Sequence, residues 1–193
     1  MSARLPQTVL ASVPSMVPAG YEVRELSTND AEMMAEAYRR NSEHLAPWEP
    51  VRPAGFYTVS GQRDVIRQRL EDQRQGRGGS WVLADGEAIV GQVTLSNVVR
   101  GVFQSCSVGY WVDGEHTGRG LGSALLEVAC ETARSWELHR VEAATVLRNV
   151  ASQAVLAKCG FTPIGTASDY LFIAGRWQDH RLYQRLLHDG PPG

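Results

Sequence analysis

Gly109 to Ser123 read GYWVDGEHTGRGLGS, and this stretch decides the fold. Gly109–Val112 has the aromatic and apolar character of a buried strand. Glycines at Gly114, Gly118, Gly120 and Gly122 then turn the chain, and apolar residues recur at Leu121, Ala124, Leu125, Val128 and Ala129, the spacing of one helix face. The first N–H groups of such a helix have no intrahelical partner and sit at the positive end of its dipole. Glycines let a bulky anion approach that backbone closely. The stretch predicts a protein that grips a phosphate-bearing ligand.

Working outward, Tyr21–Leu26 alternates as a strand, and Ser27 or Thr28 caps a helix over Asp30–Arg40. A proline-broken segment, His44–Pro53, leads to a second helix over Asp64–Gln75, which stops at the Gly76–Gly79 cluster. Trp81–Ala84 and Ala88–Leu95 flank Asp85-Gly86, a hairpin signal, and a third strand covers Phe103–Val112. After the glycine turn and its helix come a strand over Arg140–Leu147, a helix from Asn149 through Lys158, and two strands over Thr162–Ile173 and Gln178–Leu187. The order predicts an α/β domain with a mixed sheet and helices on its faces.

The 193 residues suffice for one domain, expected over residues 20–188, between an irregular lead-in at residues 1–19 and a frayed tail at residues 189–193. With 21% charged residues and a net charge of −2, no general nucleic-acid binding is expected. No apolar run is long enough to span a membrane, and the start lacks the apolar core of a signal peptide. Cys106, Cys130 and Cys159 form no C-x-x-C pair, so they read as free thiols in a reducing cytoplasm, with no metal site. A G-x-G-x-x-G dinucleotide reading fails because Leu125 occupies the third glycine's place, and no G-x-x-x-x-G-K-S/T loop exists.

Thr117-Gly118-Arg119-Gly120-Leu121-Gly122 matches the Q/R-x-x-G-x-G/A acetyl-CoA motif except at its first place. With Asn149-x-x-Ser152 and Gly160-Phe161 one strand later, the chain resembles the GNAT superfamily of N-acetyltransferases. The segments His44–Arg52, Leu95–Gly101, Asp169–Leu171 and Trp177–His180 are similar to the RimJ/RimL branch of that superfamily, the RimJ type most of all, whose members acetylate ribosomal-protein N-termini. The resemblance implies a mostly antiparallel twisted sheet in which two strands splay to open a slot for coenzyme A. It implies acetyl-CoA as acyl donor, bound by Tyr110, Trp111, Val112, Thr117, Gly118, Arg119, Gly120, Leu121, Gly122, Ser123, Asn149 and Ser152. Trp48, Glu49 and Tyr170 would border the acceptor.

Direct transfer needs a neutral amine, an in-line donor and a proton for the leaving thiolate. Where other members carry a tyrosine for that last task this chain has Leu156, which leaves Ser152 as the expected acid. Glu49 is the expected base, with Glu43, His44, Glu115 and Asp169 as alternatives. An α-amine with pKa about 7.7–8.0 is roughly a tenth neutral near pH 7 and needs little help, unlike a lysine at about 10.4. Tyr110 and Trp111 alternate along one strand, so only one of them is expected to face the ligand. Arg119 is expected to add its charge to the phosphate contacts, whereas Arg52 reads as a solvated surface charge. Three functions stay open: a protein N-terminal acetyltransferase, an acetyltransferase for small amines, and a non-catalytic acetyl-CoA-binding module. A homodimer is also left open.

Overall fold

The computed structural model describes residues 16–190. Most of the expected lead-in (residues 1–15) and the end of the expected tail (residues 191–193) lie outside the described residues. Seven strands form one sheet: β1 (Tyr21–Glu25), β2 (Gly79–Asp85), β3 (Ala88–Val99), β4 (Ser105–Val112), β5 (Arg140–Val146), β6 (Thr162–Ile173) and β7 (Arg176–Leu186). Their spatial order is β1-β2-β3-β4-β5-β7-β6, and only β4–β5 runs parallel. The helices are α1 (Ala31–Arg40), α2 (Ser42–Leu45), α3 (Val59–Arg74), α4 (Leu121–Ser135) and α5 (Val150–Lys158).

Period-two alternation sorts the strand side chains between two cores. Trp81 and Leu83 of β2 pack with Leu121, Leu125 and Val128 of α4, while Val82 packs with Met34 and Tyr38 of α1 and Ile66 of α3. Helices therefore cover both faces, as the sequence predicts. Leu125 and Leu126 are fully buried; removal of each such side chain from water contributes about 1.5–3 kcal/mol. Ser27 starts the first helical turn through a capping box with Asp30, and Asp30 also takes a two-pronged contact from Arg24 at 2.7 and 2.9 Å.

Two local readings change. The α3 helix begins five residues ahead of the expected Asp64, where the Thr58 hydroxyl accepts from Gly61 N–H. Gly61 is a packing residue within α3: a Cβ there would lie 1.9 Å from the Gly55 carbonyl oxygen. A one-turn helix, α2, also interrupts the segment expected to be irregular from His44.

One feature of the sheet positions the site. β4 and β5 pair only at Ser105↔Arg140, Cys106↔Val141 and Ser107↔Glu142. Beyond Ser107, β4 stays with β3 and β5 stays with β7, and the two strands part. This is the splayed pair expected from the resemblance.

Candidate active site

The glycine turn is held open by its backbone. Gly118 and Gly120 have φ of +75° and +78°, a region costly for any residue with a Cβ. A Cβ at either position would meet no protein atom within 4 Å, so the turn faces open space. The first bond of α4 runs from Ala124 N–H to the Gly120 carbonyl at 3.0 Å. The N–H groups of Leu121, Gly122 and Ser123 precede it and have no helical carbonyl to donate to. A diphosphate fits such a turn on both counts, space and donors.

The approach to the turn is rigid. Asp113, 1% exposed, ends β4 and accepts from Arg40 Nε and Asn41 Nδ2, both at 2.8 Å, and from Glu115 N–H at 2.9 Å. Burial alone would raise its pKa, but these hydrogen bonds outweigh it and hold the carboxyl at about 2. Asn41 Oδ1 accepts from Gly114 N–H, and the Thr117 hydroxyl donates to the Gly114 carbonyl. Thr117 thus braces the turn from within.

A groove of about 440 Å³ runs from this turn along β4. Val112, Thr117, Gly118, Gly120, Leu121, Gly122 and Ser123 line it, as expected. Arg119 does not: its guanidinium donates to the Tyr21 hydroxyl at 2.7 Å and to the Glu115 carbonyl at 3.1 Å.

A second cavity, about 300 Å³, fills the gap between β4 and β5. Groove and cavity share six residues: Trp48, Glu49, Tyr110, Trp111, Asn149 and Ser152. Tyr110 and Trp111 both line these spaces, while their side chains reach opposite faces, Tyr110 toward Ser152 and Trp111 toward Tyr38. β4 has no neighbour on this side past Ser107, so its edge borders the space and both residues contribute.

At the junction Asn149 Oδ1 accepts from Ser152 N–H at 3.1 Å and starts α5, which leaves the amide nitrogen as what Asn149 can offer a ligand. The Ser152 hydroxyl lies 3.0 Å from the Tyr110 hydroxyl. Burial pushes the Tyr110 phenol up to about 12, against the opposing pull of that hydrogen bond, so it stays protonated through the neutral range. Leu156, in the tyrosine's place, is fully buried.

Glu49 is half-buried beside Arg52, with 3.5 Å between charged atoms. Burial raises its pKa above the ordinary carboxylate value, opposed by the charges of Arg52 and Arg69. Its carbonyl accepts from Ala174 N–H at the tip of the β6–β7 hairpin, which fixes the loop over the cavity. Trp48 is clamped by Arg148, whose guanidinium lies 5.2 Å from the ring and donates to the Pro47 carbonyl and to Gln178 Oε1. Arg52, read as a solvated charge, is instead half-buried between Glu49 and the Phe56 ring and lines the cavity. Of the alternative bases, His44 borders the groove, while Glu43, Glu115 and Asp169 line neither space.

Tyr170, expected at the acceptor's border, packs its ring 5.7 Å from that of His180. It is 45% exposed and lines neither space, whereas Leu171 and Ile173 line the cavity. β6 carries two extra residues between the pairs Ala167↔His180 and Leu171↔Gln178, with Asp169 at φ +47°, so Tyr170 sits in an unpaired bulge.

Sequence reasoning missed Tyr38, Arg69, Gln92, Thr145 and His180, which line the cavity. Gln92 was readable in principle: it is a lone amide in the apolar run of β3, buried to 2% exposure. His180, also 2% exposed, donates from Nδ1 to the Gln178 carbonyl at 2.8 Å, so in its neutral form Nε2 is an acceptor. Burial pushes the Cys106 and Cys130 thiols to about 12 and raises that of Cys159, which fits packing and not nucleophilic chemistry.

A parted strand pair, a glycine turn opening a helix and a polar cavity meeting the groove describe an acyltransferase, and the chain belongs to the GNAT acetyltransferase family. The model of that family's acetyltransferase domain matches residues 22–162. It is an N-acetyltransferase. It is 36% identical to the ribosomal protein uS5-alanine N-acetyltransferase of Escherichia coli K12, over 89% of this chain and 90% of that one. Among solved structures, the ribosomal-protein-S5-alanine acetyltransferase of Vibrio fischeri superposes with TM-score 0.86 and 35% identity, covering 91% of this chain and 98% of that one. Mycobacterium smegmatis RimJ in complex with CoA-disulfide gives 0.83 and 32%, covering 88% and 84%.

Proposed function

We propose that this chain transfers the acetyl group of acetyl-CoA to the α-amino group of a protein N-terminus, that of a ribosomal protein, in the cytoplasm. One observation carries the reading: the groove beside the anion-binding turn and the polar cavity open into each other at six shared residues. Donor and acceptor thereby have separate entrances and one meeting place. The relatives named above, which acetylate an N-terminal alanine, support the acceptor class. The working domain runs over residues 20–188.

Acetyl-CoA, when bound, supplies the activated acyl group as a thioester. The N–H groups of Leu121, Gly122 and Ser123 hold its diphosphate, and the unpaired edge of β4 with the Asn149 amide nitrogen holds the pantetheine arm. Glu49 takes a proton from the incoming ammonium. Its raised pKa makes it a better base than an exposed carboxylate. Ser152 donates the proton that the departing thiolate requires, and the Tyr110 phenol, protonated at every working pH, orients and replenishes that hydroxyl.

Thiol release from acetyl-CoA, measured over alanyl peptides, seryl peptides and small amines, tests the proposal. Turnover is expected with the peptides. Turnover with small amines alone moves the chain to the small-amine class, and CoA binding by calorimetry without turnover on any amine makes it a binding module.

A further inference from the structure

Buried polar atoms without partners are rare in native proteins. Here three of them belong to residues that line one space, the cavity between β4 and β5: Arg69 Nη1, Gln92 Nε2 and Thr145 Oγ1. Gln92, Arg69 and Thr145 belong to the cavity alone and not to the groove, which puts them on the acceptor's side of the junction.

The orientation of Gln92 is fixed by its neighbours. Trp111 Nε1–H donates to the Tyr38 hydroxyl oxygen at 3.2 Å, and Tyr38 O–H donates on to Gln92 Oε1 at 3.3 Å. The amide oxygen is therefore used, and the Nε2 hydrogens are left over. Arg69 acts on the same Tyr38 hydroxyl through its charge and a side-chain hydrogen bond, while its Nη1 atom is left over. Both leftover groups can only donate, so what completes them is an oxygen with free lone pairs.

We propose that Gln92 Nε2 and Arg69 Nη1 form a subsite for the first carbonyl oxygen of the acceptor, so that the enzyme selects amines that begin a peptide. This rests on the acetyl-transfer reading above. An α-amine placed at the junction carries its carbonyl two bonds further into the cavity, on the side where these donors lie. Glu49 lines the same cavity and repels a second carboxylate, which favours a neutral peptide carbonyl over a free amino acid.

The test compares alaninamide with isopropylamine, the same skeleton without the carbonyl, by thiol release from acetyl-CoA. In Gln92→Met, kcat/KM is expected to fall at least about tenfold more for alaninamide than for isopropylamine. The two amines differ in basicity, but that difference is common to both enzymes and cancels in the comparison. Arg69→Met is expected to act in the same direction and carries the test alone if Gln92→Met does not fold, with CoA affinity by calorimetry reporting the fold. Equal losses for both amines overturn the subsite. A wild-type preference for free alanine over alaninamide overturns the peptide assignment. A wild type that acetylates neither these amines nor an alanyl peptide overturns the acetyl-transfer reading itself.

Discussion

The donor groove and the acceptor cavity are built on opposite plans. The groove is lined mainly by two short stretches, residues 110–123 and 149–158, closed by the segment of His44 to Glu49, and its anion-facing turn is backbone opened by glycines. The cavity is made of side chains from α1, α3, β3, β4, β5, β7 and the loop after α2. Backbone serves a ligand common to a whole family, because N–H groups are present whatever the side chain. Side chains gathered from many elements serve the partner that differs from one member to the next.

Substitutions should separate the two plans. The largest expected effect is Glu49→Gln on the acceptor side: a fall of about 10²–10⁴ in kcat, with CoA affinity retained in calorimetry. Because the Glu49 pKa is raised and the base must be ionised, wild-type kcat should drop as pH falls through a value above the ordinary carboxylate range. The variant should lack that limb, and a limb that persists removes Glu49 as the base.

On the donor side, Gly120→Val forces a β-branched residue to φ +78°. Its CoA affinity should weaken roughly 30- to 100-fold, the order of the strain carried by such a residue; an unaltered dissociation constant would detach the turn from cofactor binding. Asp113 joins the two plans, since it ties the end of α1 to the start of the turn. Asp113→Asn should cost about 1.5–3 kcal/mol of folding stability. The folded pKa is depressed to about 2, so this contribution is present in full above the ordinary 3.8 and disappears as pH falls through 2. Melting curves of variant and wild type should therefore converge in strong acid, and a constant gap would contradict the assignment.

The smallest expected effect falls at the junction. Tyr110→Phe removes one neutral hydrogen bond to Ser152 and should lower kcat about three- to tenfold, whereas Ser152→Ala should lower it at least as much. Wild-type rates in both variants would place the thiolate's proton donor elsewhere.

The same contrast explains what the sequence reveals. The groove is contiguous, so Gly118, Gly120 and the Asn149 cap are legible from local pattern alone. The fold is legible for the same reason, since Asp85-Gly86, Gly160 and Gly175 mark their turns locally. The cavity is not, because only tertiary structure brings Tyr38, Arg69, Gln92 and Thr145 together. Tyr170 is hard to place because it falls in a two-residue bulge of the β6–β7 pairing, and no local rule announces that bulge. The contact of Arg119 with Tyr21 is likewise beyond local pattern, since Tyr21 lies on an edge strand distant in sequence.

The three rungs between β4 and β5 act as a zipper stopped early. Continued pairing would add hydrogen bonds and strengthen the sheet, yet each further tooth would erase part of the room in which two reactants meet. At that place robustness and usefulness are in direct competition, and the protein retains its vacancy by leaving a seam in its own scaffold unsewn.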